Sequence, residues 1–125
     1  MNKVDFVKKL DSLGLDKKRY RIIAGGSLLL YGLKEETEDI DIKIRPDYFD
    51  ELNGRFNFRK SPKEEYLYEI SDDVEVAVLD YDDKDTVIVD GYPIESLELL
   101  LDWMIDRNRP KDQEKIKILK AYLGK

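Results

Sequence analysis

The sequence predicts one α+β domain over residues 1–125, with a small mixed or antiparallel sheet packed against helices. Three observations lead there. Apolar residues recur at helical spacing near both ends of the chain, strict two-residue alternation marks residues 39–45, and no repeat, linker or low-complexity tract interrupts them. At 125 residues the chain can bury about two thirds of its unfolded surface, so a real core is expected without disulfide or metal staples.

The elements follow in order. Phe6, Val7, Leu10 and Leu13 keep helical spacing, and Gly14 is placed to end that helix. Residues 20–24, Tyr-Arg-Ile-Ile-Ala, read as a short strand running into Gly25-Gly26. Ser27 is a good N-cap for a second helix carrying Leu28, Leu29, Leu30 and Tyr31 as far as Gly32. After a charged loop at 34–38, Ile40, Ile42 and Ile44 fall on one face of a strand and Asp39, Asp41, Lys43 and Arg45 on the other. Pro46 opens a short helix through Leu52, and Asn53-Gly54 turns the chain toward strands around 56–58, 66–70 and 74–79. Residues 80–85 form an acidic loop or hairpin turn before 86–89. The last third reads as helical: Ser96 caps a stripe of Leu97, Leu100, Leu101 and Met104, Pro110 breaks it, and Ile116, Leu119 and Leu123 define a terminal helix. The leucine stripe around Trp103 favours core packing for that ring over a base-stacking role.

Composition narrows the chemistry. Without Cys there are no disulfides, thiolate nucleophiles or zinc-cysteine sites; without His, the commonest neutral-pH base and transition-metal ligand are also missing. Any metal must be hard and oxygen-bound. No apolar stretch approaches the roughly 20 residues that span a bilayer, and the first residues lack an apolar signal region, so a cytoplasmic protein with no membrane association is expected. Between Arg107 and Lys125 seven basic residues face two acidic ones, within a chain of net charge −6. The acidic body repels polyanions and general duplex DNA binding is not expected, although a nucleic-acid end could meet the basic tail. The simpler account of that tail is a solvated lysine-rich helix face.

The run Gly25-Gly26-Ser27 and the pair Asp39-Ile40-Asp41 carry the functional signal. Carboxylates two apart on a strand project from one face and can share a divalent cation, and backbone N–H groups after a double-glycine turn suit an anion. A metal–nucleotide complex satisfies both. Each piece has an ordinary reading as well: the glycines for positive φ, Ser27 as a cap, and Asp39 and Asp41 as surface residues neutralised by Lys43 and Arg45. An EF-hand loop fails on spacing, because counting from Asp39 puts Ile44 where the turn glycine belongs. Glu75 lies in the apolar run Val74-Glu75-Val76-Ala77-Val78-Leu79, where a carboxylate requires a cation or a basic partner. Asp73 and Asp80 are fallback candidates. Arg109, Lys111 and Asp112 surround Pro110, either at a helix start or with Lys111 or Arg109 reaching phosphates.

Gly-Ser, a gap of about a dozen residues, Asp-apolar-Asp and a later apolar-acid-apolar strand together resemble the DNA polymerase beta-like nucleotidyltransferase superfamily, over roughly Ile22 to Leu119. The stretch from Pro93 to Leu100, followed by Arg109-Pro110-Lys111-Asp112, resembles its minimal members related to abortive-infection toxins and antibiotic-modifying enzymes. Met104 stands where such relatives often carry lysine, and Lys115 where an acidic residue is frequent. The resemblance implies a minimal nucleotidyltransferase-like palm without a separate acceptor-binding domain, its acceptor site completed by a partner protein or a second copy. It implies catalytic and metal roles for Asp39, Asp41 and Glu75 with Mg²⁺ or Mn²⁺. It also implies binding of a nucleoside triphosphate donor by Gly25, Gly26, Ser27, Arg109 and Lys111. The expected reaction is metal-dependent transfer of a nucleoside monophosphate to a hydroxyl of a protein, an RNA end or a small molecule. The alternatives are a catalytically inactive nucleotide- or protein-binding palm, such as a toxin–antitoxin component, and a structural domain that binds only a cation.

Overall fold

Alternation at Ile40, Ile42 and Ile44 becomes the middle of a seven-stranded mixed sheet in the computed structural model, which describes residues 1–125. The elements run α1 (Lys3–Ser12), β1 (Tyr20–Ile22), α2 (Gly25–Leu30), β2 (Ile40–Ile44), α3 (Pro46–Leu52), β3 (Arg59–Lys60), β4 (Leu67–Ser71) and β5 (Val74–Val78). A 3₁₀ turn at Asp83–Asp85 leads to β6 (Thr86–Val89), β7 (Tyr92–Glu95) and α4 (Leu97–Arg107), and a second at Pro110–Asp112 leads to α5 (Gln113–Leu123). The strands lie in the order β3-β4-β5-β2-β1-β7-β6. Two parallel pairings, β2 with β5 and β1 with β7, join antiparallel neighbours, so the sheet is mixed as expected. No helix is long and apolar enough to cross a membrane.

One face of the sheet is greasy and the other is not. Ile22, Ile40, Ile42, Ile44, Val74, Val76 and Ile94 meet Phe6 and Leu10 of α1 and Leu29 and Leu30 of α2 in the larger core cluster. A second cluster joins Leu28 of α2 to Leu97, Leu100, Leu101 and Met104 of α4 and to Ile116 and Leu119 of α5. The short helix α2 is thus buried on two sides, which is why its three consecutive leucines are each about 2% exposed. Residues of opposite parity on β2 and β5 project from the other sheet face, where Asp41, Lys43, Glu75 and Ala77 line a cleft bordered also by Trp103 and Arg107 of α4 and Lys115 of α5.

Several local expectations change. The helix α2 starts at Gly25, capped by Ala24, and Ser27 lies inside it rather than at its N-cap. The positive φ of the strand-to-helix turn falls on Ala24 (φ 57°), not on either glycine. The glycines serve close approach instead: a Cβ on Gly26 would stand 2.6 Å from Phe6 Cζ and 2.9 Å from Ile22 Cγ2. Accordingly, Gly26→Ala is expected to cost about 1–3 kcal/mol through overpacking, read as a lower midpoint in urea with an unchanged slope. Phe56 and Phe58 join an aromatic cluster with Phe49 and Tyr68 rather than a strand, which forms at Arg59–Lys60. The last third is not wholly helical, because β7 precedes α4.

Candidate active site

In the parallel β2–β5 ladder, Asp41 stands directly opposite Glu75. The register therefore brings together two carboxylates 34 positions apart, on a sheet face lined by the cleft. Burial, the charges of Glu75 and Asp39, and a hydrogen bond to Glu75 push the Asp41 carboxyl up to about 7. Asp39, just before β2, is exposed, and burial of its carboxyl together with Glu75 and Glu38 raises it as well. These are the marks of carboxylates held together without enough positive charge. Lys63, from the β3–β4 connection, supplies some: its Nζ donates to Glu75 Oε1 at 2.6 Å.

The neutralisation by Lys43 and Arg45 that the surface reading of the acidic pair requires does not occur. Arg45 turns to Asp80 (3.1 Å) and Asp83 (2.8 Å). Lys43 faces Glu95 and Arg21, and burial, with Arg21, lowers its ammonium below the ordinary lysine range. Neither Asp39 nor Asp41 belongs to any of the molecule's salt bridges. The fallback acids are occupied elsewhere: Asp73 pairs with Lys9 and accepts from Ser71 Oγ, and Asp80 holds Arg45.

The opposite wall of the cleft, whose volume is about 1010 Å³, carries Lys34, Arg107, Arg109, Lys111 and Lys115. Arg109 is committed to Asp112, donating from Nε and an Nη at 2.8 and 3.2 Å, and this pair fixes the entry to α5. Lys34, Lys111 and Lys115 form no ion pair, and burial together with Lys34, Lys111 and Arg109 lowers the Lys115 ammonium. An acidic wall thus faces an underneutralised basic one.

The Gly25-Gly26-Ser27 run divides. Gly25 lines the cleft. Gly26 is buried against Phe6 and Ile22, and Ser27 is fully buried, its hydroxyl donating to Ile22 O at 3.1 Å. The phosphate grip expected of the Ser27 hydroxyl does not match this placement. Trp103 also departs from its expected core position, being 40% exposed on the cleft wall.

Sequence reasoning missed Lys34, Lys63, Glu95 and Arg21, and gave Lys43 only as a partner of the acidic residues. Glu95 is the most legible of these, a lone acid ending the apolar run Tyr92–Glu95; it is 6% exposed and raised by burial, with Lys43 and Arg21 opposing the shift. Lys63 left no signal, because only the hairpin register carries it over Glu75.

No three acidic side chains close into a group able to hold a metal ion unaided. The donors present are nevertheless of the type and number that Mg²⁺ or Mn²⁺ takes from proteins that bind it with a phosphate substrate: one or two carboxylates, with the remaining positions left to water and phosphate oxygens. Asp41 and Glu75, with Asp39 at the rim, fit that pattern.

No protein-family model and no curated protein matches the sequence. Solved structures do. TM1012 of Thermotoga maritima, assigned as a nucleotidyltransferase, superposes with a TM-score of 0.60 at 22% identity over 99% of this chain and 96% of its own. ANT(2″)-Ia, solved in complex with adenylyl-2″-tobramycin, superposes with a TM-score of 0.58 at 16% identity over 94% of this chain and 85% of its own. Agreement across nearly the whole chain at such low identity reports the path of the backbone, and by that path the chain has the nucleotidyltransferase fold.

Proposed function

We propose that the protein transfers a nucleoside monophosphate from a nucleoside triphosphate to a hydroxyl acceptor, with Mg²⁺ or Mn²⁺ held by Asp41 and Glu75 and assisted by Asp39. The observation that carries this reading is the pairing of Asp41 with Glu75 across from the unpaired Lys34, Lys111 and Lys115 in one cleft. A triphosphate with a cation on it complements both walls at once. The structural likenesses support the same class of reaction.

The metal, when bound, polarises the phosphate oxygens and makes the acceptor hydroxyl more acidic. The chain's own groups do the rest. Gly25 exposes backbone to the phosphates, replacing the deeper contact expected of Ser27. Lys111 and Lys115 hold the terminal phosphates, and Arg109 keeps Lys111 in place by fixing Asp112. Glu75 accepts the acceptor's proton as its oxygen bonds to the α-phosphorus; the bond from that phosphorus to the β-bridging oxygen breaks, and pyrophosphate leaves along the lysine wall. Lys63, 65% exposed on its side chain, supplies the positive charge at Glu75 that a bound cation would replace.

A second reading, a palm that binds nucleotide without turnover, is favoured by the burial of the Ser27 hydroxyl. Pyrophosphate release separates the two. The binding test is thermal: a nucleoside triphosphate with Mg²⁺ at about 100 times its dissociation constant is expected to stabilise the fold by roughly 2.7 kcal/mol. Asp39→Ala with Asp41→Ala is expected to remove that shift. A shift that survives in the double variant overturns the carboxylate platform. Following an α-labelled nucleotide into proteins, RNA ends and small hydroxyl compounds then identifies the acceptor.

A further inference from the structure

Trp103 is the only tryptophan, and it sits where the stripe of α4 predicts a buried ring. It is instead 40% exposed and lines the cleft beside Met104 and Arg107. Arg107, one helical turn on, lies with Cζ 3.9 Å from the ring centroid and makes no ion pair. A helix-surface cation–π contact is ordinary in itself. Its location is not: the largest apolar side chain of the molecule is left partly in water, on the same wall as the unpaired Lys34, Lys111 and Lys115. Exposed indole carrying a guanidinium, a few residues from cations suited to phosphate, is the combination by which proteins hold a base by its π-face and its phosphates by charge.

We propose that Trp103, with Arg107 stacked on it, is the platform for the nucleobase of the donor nucleotide. This rests on the nucleotide-binding reading above. Because every base presents a π-face, the platform selects for an aromatic ring and favours purines through their larger stacking area, without reading a hydrogen-bond pattern. It therefore predicts a nucleotide site tolerant of base identity.

The single tryptophan makes the test direct. With Mg²⁺ present, ATP is expected to quench or shift the Trp103 emission, whereas inorganic tripolyphosphate, which carries the charge without the ring, is expected to stabilise the fold while changing the emission far less. Trp103→Leu is expected to weaken ATP binding roughly tenfold or more and leave tripolyphosphate binding unchanged, and Trp103→Phe to restore most of the loss. ATP affinity unchanged in Trp103→Leu, or equal emission changes with ATP and tripolyphosphate, overturns the platform while leaving nucleotide binding intact. If neither compound shifts the melting temperature of the unaltered protein, the nucleotide reading itself fails and the platform with it. Equal loss of both ligands in Trp103→Leu, with the variant folded by circular dichroism, assigns the ring a structural role and also overturns the proposal.

Discussion

Replacing Asp41 with Asn is expected to make the metal-free protein more stable above pH 7 while eliminating nucleotidyl transfer. The cause is the carboxyl's displacement from 3.8 to about 7 by burial and by Glu75 and Asp39. Between about pH 4 and pH 7 the folded chain keeps a proton on Asp41 that the unfolded chain has released, so stability falls as pH rises through that window. Above pH 7 the whole penalty remains. At 1.36 kcal/mol per unit and with allowance for the coupling among the three acids, Asn should recover on the order of 2–4 kcal/mol. Its amide can still donate to Glu75, as the protonated acid does. Melting temperatures of the two proteins, measured in chelator from pH 3.5 to pH 8.5, should converge at the acid end, below the unfolded carboxyl's pKa, and separate at the alkaline end. A variant less stable than the parent at pH 8 would show that Asp41 is satisfied as a carboxylate, leaving it without unmet demand for a cation.

The second large effect is expected at Arg21. Its side chain is 1% exposed in β1, with an Nη 3.9 Å from Glu95 Oε1, another 3.5 Å from the Asp82 carbonyl, and the guanidinium over the Tyr81 ring. The Nε has no partner. These are long contacts for a buried charge, so the pair contributes little net stability, yet removing one member leaves Glu95 buried with only Lys43 to compensate. Arg21→Ala should therefore cost about 3–5 kcal/mol, combining a stranded carboxylate with a large cavity. Arg21→Met with Glu95→Gln removes both charges and fills the space, and should recover most of that loss. Urea denaturation of the three proteins decides it. If the double variant is as unstable as Arg21→Ala, the loss comes from packing around Tyr81 and not from charge.

The central strand and the role of its two faces were legible because alternation at residues 39–45 has one physical meaning: a half-buried strand. Its neighbour β5 was legible for a different reason, a run apolar on both faces that suits an interior strand, and with both placed, the meeting of Asp41 and Glu75 needed only the register. The strand β7 was hidden by Pro93, which argues against a strand with partners on both sides, and by its abutment on the Ser96 cap. The two glycines drew attention to the right turn for an incomplete reason. Their missing side chains make room for Phe6 and for Thr37, while the positive φ fell on Ala24, and no local pattern distinguishes these cases. Trp103 was misplaced because a stripe defined by Leu97, Leu100, Leu101 and Met104 has a flank, and three residues on from Leu100 lies at its border rather than its centre. The basic wall could be counted in the sequence, but its confrontation with Asp41 and Glu75 depends on α4 and α5 packing on Leu28 of α2, which sets their basic side chains on the same cleft.

Manganese binding followed by the electron paramagnetic resonance of the free ion tests the account most directly. Bound Mn²⁺ should appear weakly with the protein alone, increase strongly when ATP is added, and fall to the level of ATP in buffer for Glu75→Gln and for Asp41→Asn. Retention of the ATP-dependent signal in both variants, or no protein-dependent signal with ATP, would contradict a metal–nucleotide site built on those two carboxylates.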